Sequence, residues 1–166
     1  MKAEKVYLVG FMAAGKTTIA KALAKRLGWR AIDIDEAVEE REHLPVAEIF
    51  AKHGEPYFRM AERGALADQL GVRHAVVATG GGTFVDPQNR AMINADGLSI
   101  WLDIPLDRAL ARVPSDGRRP LAADRDSFER LYHARRAAYQ HAHIRVDAGR
   151  QGSDALVEQL MDLLAH

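Results

Sequence analysis

Short, unbroken apolar runs alternate along this chain with stretches where apolar residues recur every three or four positions. The runs Lys5–Val9, Arg30–Ile34, Ala75–Ala78, Leu98–Leu102 and His143–Asp147 predict strands. They are continuous rather than alternating, as expected of strands covered on both faces. Between them, Lys16–Leu27 puts Ile19, Leu23 and Leu27 on one helical face and stops at Gly28, a residue suited to helix termination. Helices are also expected near Glu36, over Glu55–Leu70 and over Ser127–Tyr139, the last with Leu131 and Tyr132 facing inward. Asp86-Pro87 reads as a cap followed by proline at the first helical position. Ser153 reads as the cap of a last helix with Leu156, Val157, Leu160, Met161 and Leu164 on one side. Strand–helix alternation of this kind predicts an α/β fold, a five-stranded parallel sheet with helices on both faces.

The first strand runs into Gly10-Phe11-Met12-Ala13-Ala14-Gly15-Lys16-Thr17, which fits G-x-x-x-x-G-K-[ST]. Both flanks are right for a phosphate-binding loop: an apolar strand before, an amphipathic helix after. Gly10 and Gly15 let the backbone turn and approach phosphates without a side chain in the way. The loop N–H groups and the helix N-terminus face the anion. Lys16 supplies a compact cation for the terminal phosphates, and the Thr17 hydroxyl is placed to ligate Mg²⁺. The chain is therefore expected to hold a nucleoside triphosphate.

Composition narrows the class. At 166 residues the chain fits one domain, 1–166. Lys plus Arg and Asp plus Glu each total 23, so no bulk charge favours nucleic acid or an anionic membrane. The absence of cysteine removes disulfides, thiolate metal sites and cysteine nucleophiles. No run approaches the ~18 apolar residues of a spanning helix, and the four apolar residues Val6–Val9 are too few for a signal-peptide core. The expectation is a cytoplasmic monomer. The N-K-x-D that would read guanine is missing, and Asp68-Gln69-Leu70-Gly71 ends a helical stretch rather than following a strand, which argues against a GTPase switch. A motor or transporter ATPase needs more chain. A kinase with a small acceptor remains.

The acceptor side is read from the segments after the other strands, because ligands in parallel sheets sit beyond the strands' C-terminal ends. Asp33-Ile34-Asp35 ends the second predicted strand, and i, i+2 carboxylates share a strand face. One carboxylate near Mg²⁺ and one near a hydroxyl suits phosphoryl transfer; simple helix capping is the competing account. Thr79-Gly80-Gly81-Gly82-Thr83 offers bare backbone N–H groups beyond the third strand. Arg59 and Glu62, at i, i+3, can pair on one helical face and aim the arginine at an anion, or form an ordinary surface pair. Arg112 to Leu121, with Pro114, Gly117 and Pro120, reads as a loop carrying three arginines, a candidate lid. Of Arg135 and Arg136, one is expected to face the cleft and the other solvent. His141 and His143 could share a strand face, but with no third ligand nearby a structural role is preferred. Trp29 and Trp101 are read as core.

In chain order stand G-F-M-x-A-G-K-T at Gly10–Thr17, D-x-D at Asp33–Asp35, G-E-x-x-F-R-x-x-E at Gly54–Glu62, G-G-G at Gly80–Gly82, R-P-L at Arg119–Leu121 and R-x-x-x-Y at Arg135–Tyr139. Over nearly the whole chain this series resembles the shikimate kinase family. The resemblance implies a P-loop, nucleoside-monophosphate-kinase-like domain with a substrate-binding segment at about 34–62 and a lid at about 112–124. It implies transfer of the γ-phosphate of ATP to the 3-hydroxyl of shikimate, with Mg²⁺. Lys16, Asp35 and Arg119 are then catalytic, Asp35 being the base. Asp35, Arg59, Gly81, Gly82 and Arg135 bind shikimate, the two arginines by its carboxylate. Gly10, Ala13, Ala14, Gly15, Lys16, Thr17, Thr18, Arg112 and Arg119 hold the nucleotide, and Thr17 and Asp33 serve the metal. Three departures stand out, the first being that the lid is short. Ala13 occupies a position where the family usually has glycine. The segment after Arg135 is Arg-Ala-Ala-Tyr where the family often has x-Pro-Leu-Tyr, so Arg136 rivals Arg135 for the carboxylate. A kinase of another polyol acid, such as gluconate, and a nucleotide-binding module without turnover are the competing readings.

Overall fold

A computed structural model describes residues 3–12, 14–112 and 125–165. Ala13, Arg119 and the lid segment beyond Arg112 lie outside the described residues. Five strands, β1 (Lys5–Val9), β2 (Arg30–Asp33), β3 (Ala75–Ala78), β4 (Leu98–Asp103) and β5 (Ile144–Asp147), form one sheet in the order β2-β3-β1-β4-β5. Every pairing is parallel. The continuous apolar runs fall where expected: β1 and β3 are buried along their whole length. Three strand ends differ from the sequence expectation. β2 stops at Asp33 because Ile34 already belongs to a helix, β4 runs on to Asp103, and β5 begins after His143.

The helices are α1 (Lys16–Leu27), α2 (Ile34–Glu42), α3 (Val46–Asp68), α4 (Pro87–Asp96), α5 (Leu106–Arg112), α6 (Arg125–Tyr139) and α7 (Ser153–Ala165). α1 buries Ile19 and Leu23 and packs against α7. Asp86 caps α4 through the N–H groups of Gln88 and Asn89, with Pro87 at the first helical position. Ser153 does not cap α7: the first intrahelical acceptor is the Gly152 carbonyl, so Ser153 is already helical. α3 is longer than the predicted Glu55–Leu70 and breaks at Gly54, whose backbone (φ 82°, ψ 171°) is not helical. Only glycine adopts that conformation easily. Pro56 then falls in the first turn of the second limb, where no N–H is needed.

Strand register assembles the site. Leu8 of β1 and Asp33 of β2 both lie level with Ala78 of β3. The loop after β1, the start of α2 and the glycine run after β3 therefore leave the sheet at the same, C-terminal end of the strands. β1 sits between β3 and β4 although its chain continues to β2. The phosphate loop thus stands where the strand order reverses, the usual place for a ligand in such sheets.

Candidate active site

The N-cap position of α1 is Gly15, in a left-handed conformation (φ 84°) and with no capping side chain. Its first N–H groups are thus left for an anion. Lys16 is buried, and its Nζ donates to the Gly10 and Phe11 carbonyls at 2.6 and 2.9 Å. The Thr17 hydroxyl donates to Asp33 Oδ2 at 2.5 Å, while Asp33 Oδ1 accepts from the Glu36 N–H at 3.0 Å. Asp33 therefore both caps α2 and meets Thr17. Asp35 is not on the strand face that i, i+2 spacing suggested; it stands in the first turn of α2. It reaches the same cavity because the chain turns from strand to helix at Asp33.

That cavity, about 310 Å³, opens beside the phosphate loop. Asp33, Asp35, Glu36, Glu39 and Glu62 bring acid groups; Met12, Val46, Phe50 and Phe58 add apolar surface; Thr17, Arg59, Arg135 and Gly80–Gly82 complete the lining. The glycines are required by the arginines. A Cβ on Gly82 would stand 2.5 Å from Arg59 Nη2, and one on Gly81 would stand 2.9 Å from Arg135 Nη1. A side chain at either place would displace a guanidinium.

Arg59 Nη1 is held by Glu62, at 3.1 and 3.2 Å from its two oxygens, and Glu55 lies within 3.3 Å of Arg59 Nη2. This is no surface pair: Glu62 is fully buried and also accepts from the Thr83 hydroxyl at 2.8 Å. Thr83 in turn accepts from the Gly80 N–H at 3.0 Å, which ties the glycine turn to α3. The sequence pointed to Glu62 and held Glu55 and Thr83 within motifs without giving them a role; it missed Val46 and Phe50.

The neighbours on α6 separate. Arg136 bonds to Asp103 at 2.5 Å and lies 4.9 Å over the Trp101 ring. It belongs to the end of β4, not to the cavity. Arg135 is 7% exposed, lines the cavity, and among the described residues pairs with no carboxylate. Burial, and the Arg59 cation besides, push its guanidinium below the usual arginine value, though arginine stays charged in proteins. Glu55 and Glu62 act on it only without an ion pair; a buried cation so weakly compensated is costly, and an anionic ligand relieves that cost.

On the other side of the loop lies a second cavity of about 210 Å³ lined by Ala14, Gly15, Thr18, Arg112, Gln151 and Gly152, among others. It brings the predicted nucleotide residues Thr18 and Arg112 together with the loop. The histidine pair forms no metal site: His141 lies in the turn before β5, and His143 Nδ1 accepts from the Ser99 N–H at 3.0 Å. Among the described residues no cluster of three or more His, Cys, Asp or Glu could hold a metal ion. No described helix is long and apolar enough to cross a membrane.

Known proteins match this arrangement along its length. The family model "Shikimate kinase" matches residues 12–165. A shikimate kinase of Persephonella marina is 37% identical over 157 residues, covering 94% of this chain and 96% of that protein. The solved shikimate kinase of Acinetobacter baumannii, in complex with shikimate, superposes with a TM-score of 0.92 at 30% identity, covering 98% of this chain and 93% of the other. A gluconokinase from Sinorhizobium meliloti shares the fold at a TM-score of 0.61 and 15% identity, over 98% and 91% of the two chains. The full-length match and the ordered motifs agree: the chain belongs to the shikimate kinase family.

Proposed function

We propose that this chain transfers the γ-phosphate of ATP to the 3-hydroxyl of shikimate, giving shikimate 3-phosphate and ADP. One observation carries the acceptor assignment: Arg135, buried and without a carboxylate partner among the described residues, faces the same cavity as Arg59. Two guanidiniums and several carboxylates lining one cavity suit a small molecule that carries both an acid and hydroxyls. Phe50, Phe58 and Val46 suit the ring between.

The residues divide the work. Arg59 and Arg135 hold the substrate carboxylate, with Gly81 and Gly82 offering backbone N–H groups. Asp35 accepts the proton of the reacting hydroxyl. Lys16 leaves its loop carbonyls for the phosphate oxygens, and the N–H groups at the start of α1 complete the cradle. Arg112 and the second cavity take the rest of the nucleotide. Arg119 and Ala13 keep the roles that the family resemblance implies. Catalysis is then positioning plus charge stabilisation.

Mg²⁺ fits the donors present. The Thr17 hydroxyl and the Asp33 carboxylate are hard oxygens already 2.5 Å apart, and magnesium typically takes one or two protein oxygens with phosphates and water. When bound it supplies charge neutralisation for the phosphate oxygens. A monomer acting in the cytoplasm completes the reading.

The test is ADP release with ATP and Mg²⁺ across a panel of hydroxy acids. Shikimate is expected to support turnover far above water. Turnover with gluconate but not shikimate would overturn the acceptor assignment, and ATP binding with no acceptor would leave a nucleotide-binding module.

A further inference from the structure

Glycines have wide φ/ψ freedom, so Gly80–Gly82 alone do not determine where their N–H groups point. Something outside the run must fix the direction of its peptide groups. The Tyr139 hydroxyl donates to the Gly81 carbonyl at 2.5 Å. Tyr139 is 1% exposed and lies 58 positions away in sequence, one helical turn beyond Arg135 on α6. α6 thus sends two side chains to one glycine. Arg135 covers the Gly81 Cα, where a Cβ would meet Nη1 at 2.9 Å, and Tyr139 takes its carbonyl.

In a trans peptide the C=O and the following N–H point in opposite directions, and no described peptide bond is cis. A Gly81 carbonyl drawn into the interior by Tyr139 therefore turns the Gly82 N–H the other way. Among the described residues no backbone acceptor takes that N–H, and Gly82 lines the cavity beside Arg59. We infer that Tyr139 is a positioning residue for the acceptor acid: by fixing the Gly81–Gly82 peptide it holds the Gly82 N–H toward the substrate carboxylate, between the two arginines. Burial raises the Tyr139 hydroxyl above its ordinary value, so it remains a donor throughout the working pH range.

This inference rests on the shikimate reading, and the experiment separates the two. Tyr139→Phe keeps the ring and removes the donor. Tyr132→Phe is the control: its hydroxyl also donates to a buried carbonyl, that of Ile104 at 2.6 Å, from the same helix but away from the glycines. Both variants are expected to melt a few degrees lower. Tyr139→Phe should raise KM for shikimate about fivefold to tenfold and leave the Kd for ADP within twofold; Tyr132→Phe should leave KM for shikimate within twofold. Independently of any variant, the ¹⁵N-labelled Gly82 amide of the wild-type protein should shift on adding shikimate. Equal KM values in the two variants, or a Gly82 amide indifferent to bound shikimate, would overturn the inference. A wild-type protein that binds no shikimate would instead remove the reading beneath it.

Discussion

At the N-terminal end of the sheet, Asp96 gathers its neighbours. It accepts from Lys5 at 2.5 Å, from the Tyr7 hydroxyl at 2.7 Å and from the Gly71 N–H at 3.0 Å, and Arg73 pairs with it as well. Lys5 is 1% exposed and also bonds to the Gln69 carbonyl. At the C-terminal end, Arg135 is buried nearly as deeply and has no carboxylate partner among the described residues. Both ends bury a cation beside sheet and helix. One is closed by ion pairs within the chain, while the other feels Tyr139, Glu55 and Glu62 without an ion pair and faces a cavity that a ligand can enter. Closed charge clusters serve the fold, and open ones serve a ligand.

The two ends make opposite demands on variants. Asp96→Ala should give the largest effect, because it leaves Lys5 buried and unpaired. Stability should fall by about 3–5 kcal/mol in a urea titration, with KM for shikimate unchanged in the folded fraction. A stability loss below about 1 kcal/mol would put this cluster in the class of weak surface pairs. Its pH dependence comes from the same contacts. Burial alone would raise the Asp96 carboxyl, but hydrogen bonds from Lys5, Tyr7 and Gly71 outweigh it and hold it well below the usual carboxylate range. A depressed folded-state value means the contribution is present above the unfolded value, about 3.9, and lost only as pH falls through the folded one. The wild-type protein should therefore keep this contribution at pH 4, where Asp96→Ala lacks it.

Asp35→Asn probes the open end. Turnover should drop roughly 10²-fold or more while ADP affinity stays within a few-fold. Wild-type-like turnover would remove Asp35 as the base. Arg136→Gln is the smaller test. Asp103 keeps Arg145 at 2.8 Å, so stability should fall only about 1–2 kcal/mol and KM for shikimate should move less than about threefold. A larger rise in KM than Arg135→Leu gives would exchange the roles of the two arginines.

What the sequence made legible was local. The phosphate loop declares itself because its backbone needs glycine at fixed places, and the Arg59–Glu62 pair because i, i+3 residues share a helical face. Asp35 was assigned to this cavity by a mistaken route: Asp33 caps a helix that starts at Ile34, the last residue of the expected strand. The choice between Arg135 and Arg136 was not legible, since it depends on Asp103, 33 positions from Arg136. The tie between Tyr139 and Gly81 was hidden for the same reason. The first limb of α3 and the short α5 escaped notice because a glycine joint and a seven-residue helix leave little periodic pattern.

The central claim is that Arg135 is buried for a ligand and not for the fold. Thermal unfolding of Arg135→Leu, with and without shikimate and beside the wild-type protein, tests it most directly. Without ligand the variant should melt at the wild-type temperature or above, because a buried, weakly compensated cation has been exchanged for an apolar side chain. Saturating shikimate should raise the wild-type Tm and leave the variant's almost unmoved. A variant that melts well below wild type and still gains the full shift from shikimate would contradict the account.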